Sequence, residues 1–336
     1  MRRAKRGRIP ALLALAGLWL WGAPPCVLHA GESGAAFLTI PSSPRALALG
    51  QSEAVSAVGA QAVDANPANL GLLGQRYELF SSYASLPQGA EYEHIAAAFG
   101  SPAILPDFLP LEALGLAVTH YGVGGIPVAD SQGNQTGGTF SSGDLAVALS
   151  GSGKLAPGLR LGLTAKVVQS QIAGYRSNLA LASDIGLTYA VTQLAQSFNV
   201  GLSVTNLGQG LRFIGQTDPL PSTAGLGVSV PLGPATVVVE VDRLLHDQGT
   251  QVGAGLEWGL GPVSFRGGYL SQNPGPSLGS SVGGAAGLFS GLSFGLGVRA
   301  GSARLDYAVS QQAPQLGSAQ HLALTLQWGG AGGSHP

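Results

Sequence analysis

The residues that could do chemistry are scattered in ways that exclude most chemistries. After residue 30 the histidines are His94, His120, His246, His321 and His335, with no His-x-x-x-His spacing, and the chain has 1 cysteine. No metal-ligand set follows from that pattern, and no cofactor or enzymatic activity is expected. Serine is abundant, yet G-x-S-x-G does not occur as the strand–turn–helix elbow of a hydrolase. Two groups remain. One is the triplet Asn66-Pro67-Ala68, within VDANPANL. The other is a set of charges placed singly in otherwise apolar segments: Arg160, Lys166, Glu240, Asp242, Glu257, Arg266, Arg304 and Asp306.

The triplet also occurs in membrane water channels, where two copies cap half-helices in a helical bundle. After the leader no run reaches the ~18 apolar residues that a spanning helix needs. What remains is capping chemistry. Asn66 suits an N-cap and Pro67 the first helical position. Gly71 or Gly74 can end a short helix.

The eight charges need elements that point them away from lipid. In LRLGLTAKV (159–167), Leu159, Leu161, Leu163, Ala165 and Val167 share one face, and Arg160, Gly162, Thr164 and Lys166 the other. The same period-two alternation sets Glu240 and Asp242 against Val237, Val239 and Val241, and Glu257 against Val252, Leu256 and Trp258. It sets Arg266 against Val263, Phe265 and Tyr269, and Arg304 and Asp306 against Leu305, Tyr307 and Val309. Alternation of this kind marks strands. About fourteen such segments of ~10 residues, separated by Gly, Asn, Pro and Ser, fit an antiparallel transmembrane β-barrel. The apolar faces carry the aromatics Trp258, Tyr269, Tyr307 and Trp328, as interfacial girdles do. All eight charges are then lumen-facing, pairing with one another and with whatever fills the lumen, since a charge facing lipid at the midplane costs about 2–4 kcal/mol.

Composition agrees. Charged residues make up 10% of the chain, against about 25% in soluble domains. Five basic residues precede the apolar run Pro10–Ala23, the layout of a cleavable signal peptide over 1–30. Without it, 11 of the 16 basic residues face 17 acidic ones, a net charge of −6 that excludes a nucleic-acid partner. Residues 31–74 lack the strand pattern and are expected to form a lumenal plug containing a short helix that Asn66, Pro67 and Ala68 begin, on the periplasmic side. The barrel is expected over 75–328 and a flexible tail over 329–336. Gly122–Ser142 and Phe213–Thr223 are expected as long loops, Pro231–Pro234 and Gly259–Pro262 as short turns, and SPAILPDFLPLEAL (101–114) as an apolar loop for ligand entry or partner docking.

GAAFLTIP (34–41), RALALG (45–50) and DANPANL (64–70) precede the strands, and LASDIGLTY (181–189), VGLSVTNLGQGLRF (200–213), PLPSTAGLGV (219–228) and RLDYAV (304–309) punctuate them. In that order the chain resembles the PorV/PorQ family of bacterial outer-membrane proteins, which is related to the FadL-type transporters of hydrophobic compounds. The resemblance implies a conduit for hydrophobic small molecules. Its alternative is an accessory barrel of a type IX-like secretion system that escorts secreted proteins. It also implies outer-membrane lipid, lipopolysaccharide and the barrel-assembly machinery as partners. Two stretches depart from the family pattern: QSEAVSAVGAQAVD (51–64) replaces a Gly- and Asp-rich run, and GGAGGSHP follows Trp328.

Overall fold

Strands whose apolar faces look outward have to pair on both edges, and in the computed structural model they do so around a closed ring. The structure describes residues 33–100, 111–192, 196–247, 249–272, 291–311 and 317–329. The leader and most of the C-terminal tail lie outside these residues. The ring begins with β1 (Arg76–Ser85), β2 (Ala90–Gly100), β3 (Leu111–Ala129), β4 (Gln135–Ala156), β5 (Leu159–Ile172), β6 (Ala180–Val191) and β7 (Phe198–Gly208). It continues with β8 (Thr223–Leu232), β9 (Ala235–Leu244), β10 (Thr250–Leu260), β11 (Val263–Gln272), β12 (Leu292–Ala300), β13 (Ala303–Gln311) and β14 (Ser318–Gly329). Each strand pairs antiparallel with its sequence neighbours, and β1 closes on β14 from Arg76↔Gly329 to Ser85↔Gln320. A 10-residue strand such as β1 is about 34 Å long, and tilted as barrel strands are it spans a hydrocarbon layer about 25 Å tall.

The outer face is apolar: Leu79, Ile95, Leu116, Leu149, Leu163, Leu202, Val239, Leu256 and Leu324 all look outward. Tyr77 stacks on Trp328 with ring centroids 6.2 Å apart and meets Phe99 edge-on at 6.2 Å. Trp258, Tyr269, Tyr307 and Trp328 are exposed on this face, as the girdle reading expects. The inner face is mostly small or polar, with Ser82, Thr119, Ser150, Thr164, Thr188 and Ser203 buried, and Phe80, Tyr92 and Val168 are among its larger members.

The two rims differ. At one, β4/β5, β8/β9, β10/β11 and β12/β13 are joined by two-residue turns. Gly233, Gly261 and Gly301 open three of these turns at φ 62°, 58° and 58°, a region that only glycine enters freely. At the opposite, long-loop rim the hairpin β3–β4 corrects one expectation. Gly122–Ser142 reads as a loop because of its glycines and Pro127, yet β3 continues to Ala129 and β4 starts at Gln135. Register shifts between Val123 and Ile126 and between Pro127 and Ala129 absorb the glycines and the proline. The turn itself is Asp130–Asn134, where Asp130 Oδ1 accepts from the amides of Gln132 and Asn134 at 2.9 Å each. A second correction concerns 101–114. Residues 101–110 lie outside the described ones, and Leu111–Leu114 are not loop but the start of β3.

Residues 33–74 thread the lumen from the long-loop rim to the short-turn rim. Gly34 N donates to Pro219 O at 2.8 Å, and Phe37 stacks on Tyr121 with centroids 6.3 Å apart. Short helical turns follow at Ala36–Thr39, Pro44–Ala48, Glu53–Ser56, Gly59–Ala62 and Pro67–Leu73. The chain then passes Gly74 and enters β1. Glycines of the wall let this backbone approach. A Cβ on Gly162 or Gly186 would fall onto Pro67–Ala68 or the Asn66 side chain, and one on Gly253 onto Gly50. The expected plug with a short helix is therefore present, and it sits against bare backbone.

Gly186→Val tests that fit. Its side chain collides with Asn66 and Pro67, and overpacking of this kind costs about 1–3 kcal/mol. The barrel is expected to keep its heat-modifiable gel mobility while limited proteolysis cleaves between residues 50 and 74. Protease resistance equal to the parent chain refutes the seating described.

Candidate functional site

Asn66 begins the Pro67–Leu73 helix as its sequence suggests: its Oδ1 accepts from Ala68 N at 3.2 Å, with Pro67 in the first turn. The helix is of the tight 3₁₀ kind. A cap of this type contributes about 1 kcal/mol, but Asn66 does more. Its Nδ2 donates to Ala54 O at 2.8 Å and to Leu187 O and Thr188 Oγ1 at 3.3 Å each. Asn69, which sequence reasoning passed over, stands beside it. Asn69 Nδ2 donates to Ala54 O and Ala57 O at 3.0 Å each, and Thr188 Oγ1 donates to Asn69 Oδ1 at 2.6 Å. Both asparagines are buried. Ala68 O accepts from Ser152 Oγ, and Val63 O from Ser150 and Thr164, at 3.0–3.1 Å. Ala68 itself is buried and offers only its backbone. The triplet is thus a knot tying two turns of the plug to β4, β5 and β6.

All eight predicted charges point into the lumen, and most have partners. Glu257, Arg266, Asp306 and Arg304 form one chain along β10, β11 and β13. Arg266 Nε lies 2.5 Å from Glu257 Oε2, Arg266 Nη1 2.8 Å from Asp306 Oδ1, and Arg304 Nε 2.6 Å from Asp306 Oδ2. The plug joins that chain through Arg45, whose Nε and Nη2 reach Glu257 Oε2 and Oε1 at 2.8 and 3.0 Å. Arg45 Nη1 also donates to Ser56 O. This two-pronged arrangement is the strong form of an arginine–carboxylate pair. Arg160 pairs with Glu112 at 2.8 Å, and Lys166 with Asp184 at 2.8 Å. Glu240 accepts from Ala54 N at 2.9 and 3.0 Å, so it holds the start of the Glu53–Ser56 turn. Asp242 lies apart from these pairs, its carboxylate over Gly225.

Several members lie outside the predicted set. Asp64 of the plug sits 3.5 Å from His94 Nδ1 and 3.8 Å from Lys166 Nζ. Asn206 accepts from Lys166 Nζ through Oδ1 at 3.0 Å, and its amide donates to Asp184 Oδ1 at 2.7 Å. Here β7 carries an extra residue opposite Asp184, and Asn206 takes φ 60° to accommodate it. Asp184 and Asn206 both lie in stretches that carry the family resemblance, which is the signal that could have found them. Arg45 opens another such stretch, RALALG, but its partner is 212 residues away, so nothing local pairs the two. Among the described residues no three of His, Cys, Asp and Glu converge as metal ligands do.

Two spaces flank this polar middle. At the long-loop rim Phe37, Val168, Leu211 and Leu220 form an apolar cluster, with Leu38, Ile40 and Tyr121 against it. At the short-turn rim a recess of about 460 Å³ lies under the plug, bounded by Leu72, Asn199, Glu257, Arg299 and Arg304.

No protein-family model matches the chain, and no curated protein matches it by sequence. Solved structures do share its fold. The Ralstonia pickettii toluene transporter TbuX superposes with a TM-score of 0.55 at 15% identity, over 85% of this chain and 97% of TbuX. The Pseudomonas putida toluene transporter TodX gives 0.55 at 12% identity, over 86% and 99% of the two chains. A Pseudomonas aeruginosa FadL homologue gives 0.51 at 10% identity, over 86% and 98%. The fold is therefore that of the FadL-type barrels.

Arg45→Met is expected to unfasten the plug from β10 and to leave Glu257 with Arg266 alone. Losing one side of a buried pair costs about 3–5 kcal/mol. Hydrogen exchange should quicken across residues 44–62 while the barrel strands stay protected; unchanged exchange there would sink the role given to Arg45. A second expectation concerns Glu53, which faces Asp242, Asp64 and Lys166 inside the walled lumen. Burial first, then the charges of Asp242 and Asp64, push its carboxyl up from 4.5 to about 8. A raised acid binds a proton that the free chain has released, so plug seating weakens as pH rises from about 4.5 to 8. Protection of the plug amides, followed between pH 5 and 8, should fall more steeply in the parent chain than in Glu53→Gln.

Proposed function

We propose that the chain is a bacterial outer-membrane barrel of FadL-like type that conducts hydrophobic small molecules across the membrane without enzymatic chemistry. The observation that carries this is the apolar cluster at the long-loop mouth. A second apolar cluster, of Val63, Leu70 and Leu73 against Phe80 and the wall alanines, is closed off by the plug, whereas Phe37, Leu38 and Ile40 meet Tyr121, Leu211 and Leu220 at the mouth itself. An apolar solute arriving from the long-loop side finds a site of its own polarity built partly from the plug. Occupying that site loads the N-terminal end of the plug directly. The polar knot and the Arg45 pair are hydrogen bonds and ion pairs, which can re-form after a displacement.

The leader-like N-terminus, the apolar outer belt and the closed sheet support the outer membrane, with the short-turn rim on the periplasmic side. Lipid, lipopolysaccharide and the barrel-assembly machinery are the partners this placement requires. That the structurally similar TbuX and TodX are toluene transporters supports a hydrophobic cargo. The narrower PorV/PorQ reading, and with it an escort role for secreted proteins, rests on motif order in the sequence.

Toluene uptake by cells displaying the chain is expected to exceed that of cells with an empty vector, and Phe37→Asp should reduce it about tenfold by placing a charge in the apolar mouth. Uptake indistinguishable from the empty vector would falsify the conduit. Recovery of the chain as a soluble periplasmic protein would refute the membrane placement.

A further inference from the structure

The short-turn rim holds a row of side chains that the ion-pair network leaves incomplete. Register places Arg299 on β12 opposite Arg304 on β13, and Arg304 opposite Thr325 on β14. Cross-strand partners share a face, so all three look into the lumen on adjacent strands about 4.8 Å apart. Two arginines directly opposite repel each other, and nothing in the wall separates them. Arg304 spends Nε on Asp306, while its buried Nη2 has no hydrogen-bond partner. Thr325 is 1% exposed and its Oγ1 also lacks a partner. Among the described residues the Arg299 side chain makes no ion pair or hydrogen bond, and it is exposed to the recess. Arg299, Arg304 and Thr325 line one notch together with Ser302 and Gln327, and the two arginines also line the 460 Å³ recess beneath the plug.

A buried donor without an acceptor costs about 1–3 kcal/mol. Here two such donors and a free guanidinium converge on one notch. Among the described residues the nearby acids do not answer them. Both oxygens of Asp306 are taken by Arg266 and Arg304, and Glu257 is shared by Arg45 and Arg266. Glu78 accepts from Ala60 N and Gln327 Nε2. Around the recess four arginines (Arg45, Arg266, Arg299 and Arg304) stand against the two carboxylates Glu257 and Asp306, a surplus of two positive charges. The notch has space of about 10 Å³, room for one oxygen atom, so the species that answers it supplies one acceptor oxygen there and keeps the rest of its charged group at Arg299 and Arg304 in the recess.

We infer that Arg299, Arg304 and Thr325 form a binding station for a single oxyanion, a carboxylate or phosphate group, whose molecule extends into the recess. The station exists whether or not the barrel conducts.

Benzoate is the probe, with benzyl alcohol as its neutral counterpart, titrated calorimetrically into the full chain in detergent micelles. Benzoate is expected to bind more tightly than benzyl alcohol and to weaken as sodium chloride rises. Arg299→Gln should weaken benzoate about ten- to a hundredfold, the worth of a charge-assisted hydrogen bond, and Arg299→Lys should recover part of the loss. Thr325→Val should weaken it less. Heat-modifiable mobility of each variant confirms that the barrel has formed. Acetate and inorganic phosphate identify the source: benzoate tighter than both indicates an organic acid whose ring fills the recess, and equal affinities indicate a free anion. Either outcome supports the station. Benzoate bound no more tightly than benzyl alcohol, or bound equally by Arg299→Gln, overturns it. Toluene uptake by Arg299→Gln, measured in parallel, tests the conduit separately, because a neutral ring needs no guanidinium.

Discussion

Every backbone N–H and C=O that faces lipid has to be paired within the chain, because hydrocarbon offers no substitute partner. The rest of the structure follows from that. A sheet with free edges fails the condition, so β1 has to meet β14. Fourteen strands are then too many for side chains alone to fill the middle, since about eight already suffice for a packed interior. The wide lumen needs either water or a segment of the chain. Here residues 33–74 occupy it, and the wall is adapted to them. Many of its inward positions are glycine, alanine, serine and threonine, so the plug's backbone lies close enough to be hydrogen-bonded by Ser150, Ser152 and Thr164.

The same constraint explains where the charges are. A chain with so few ionisable residues still turns the eight predicted charges inward, with Glu78, Asp184 and Arg299 besides. Removal from water is costly for each one, and it is offset only when partners are supplied. The partners are mostly on other strands or on the plug, so pairing also sets the register of parts far apart in sequence. Arg45 with Glu257, Asp64 with Lys166, and Glu240 with the Ala54 amide each bind plug to wall at a different height. Buried pairs of this kind add little net stability over an apolar filling, but they penalise a misplaced plug, which would strand a charge on each side.

Much of this was legible from residue order. Period-two alternation found the strands, and because a strand has only two faces, it also found the inward direction of Arg160, Lys166, Glu240 and the other five charges. The cap at Asn66 was legible because capping is local. What could not be read was set by contacts distant in sequence. Glycines at 122–125 and Pro127 look like loop, yet a projecting hairpin pairs with itself and absorbs them by slipping register. Leu111–Leu114 look like the end of an apolar loop, and their strand character shows only in the pairing with β2 and β4. Arg45 and Asp64 sit in a segment with no period, so nothing local marks them as inward.

The plug is fastened differently along its length, and this gives the molecule a direction. At the long-loop rim the contact is apolar, made by Phe37, Leu38 and Ile40, and it weakens when an apolar solute competes for the same surface. Deeper in the lumen, at about the level of the ion pairs, it is the hydrogen-bonded knot of Asn66, Asn69 and Thr188. Toward the short-turn rim it is ionic, through Arg45 and the Glu257–Arg266–Asp306–Arg304 chain. A competitor entering at the long-loop rim meets the Phe37 contact before the knot, the ion pairs and the apolar packing of Val63, Leu70 and Leu73. Disturbance from outside therefore loosens the N-terminal end first while the knot and the ion pairs hold the rest. A plug tied uniformly by apolar contacts would lack that order, and one tied only by ion pairs would not respond to an apolar solute at all.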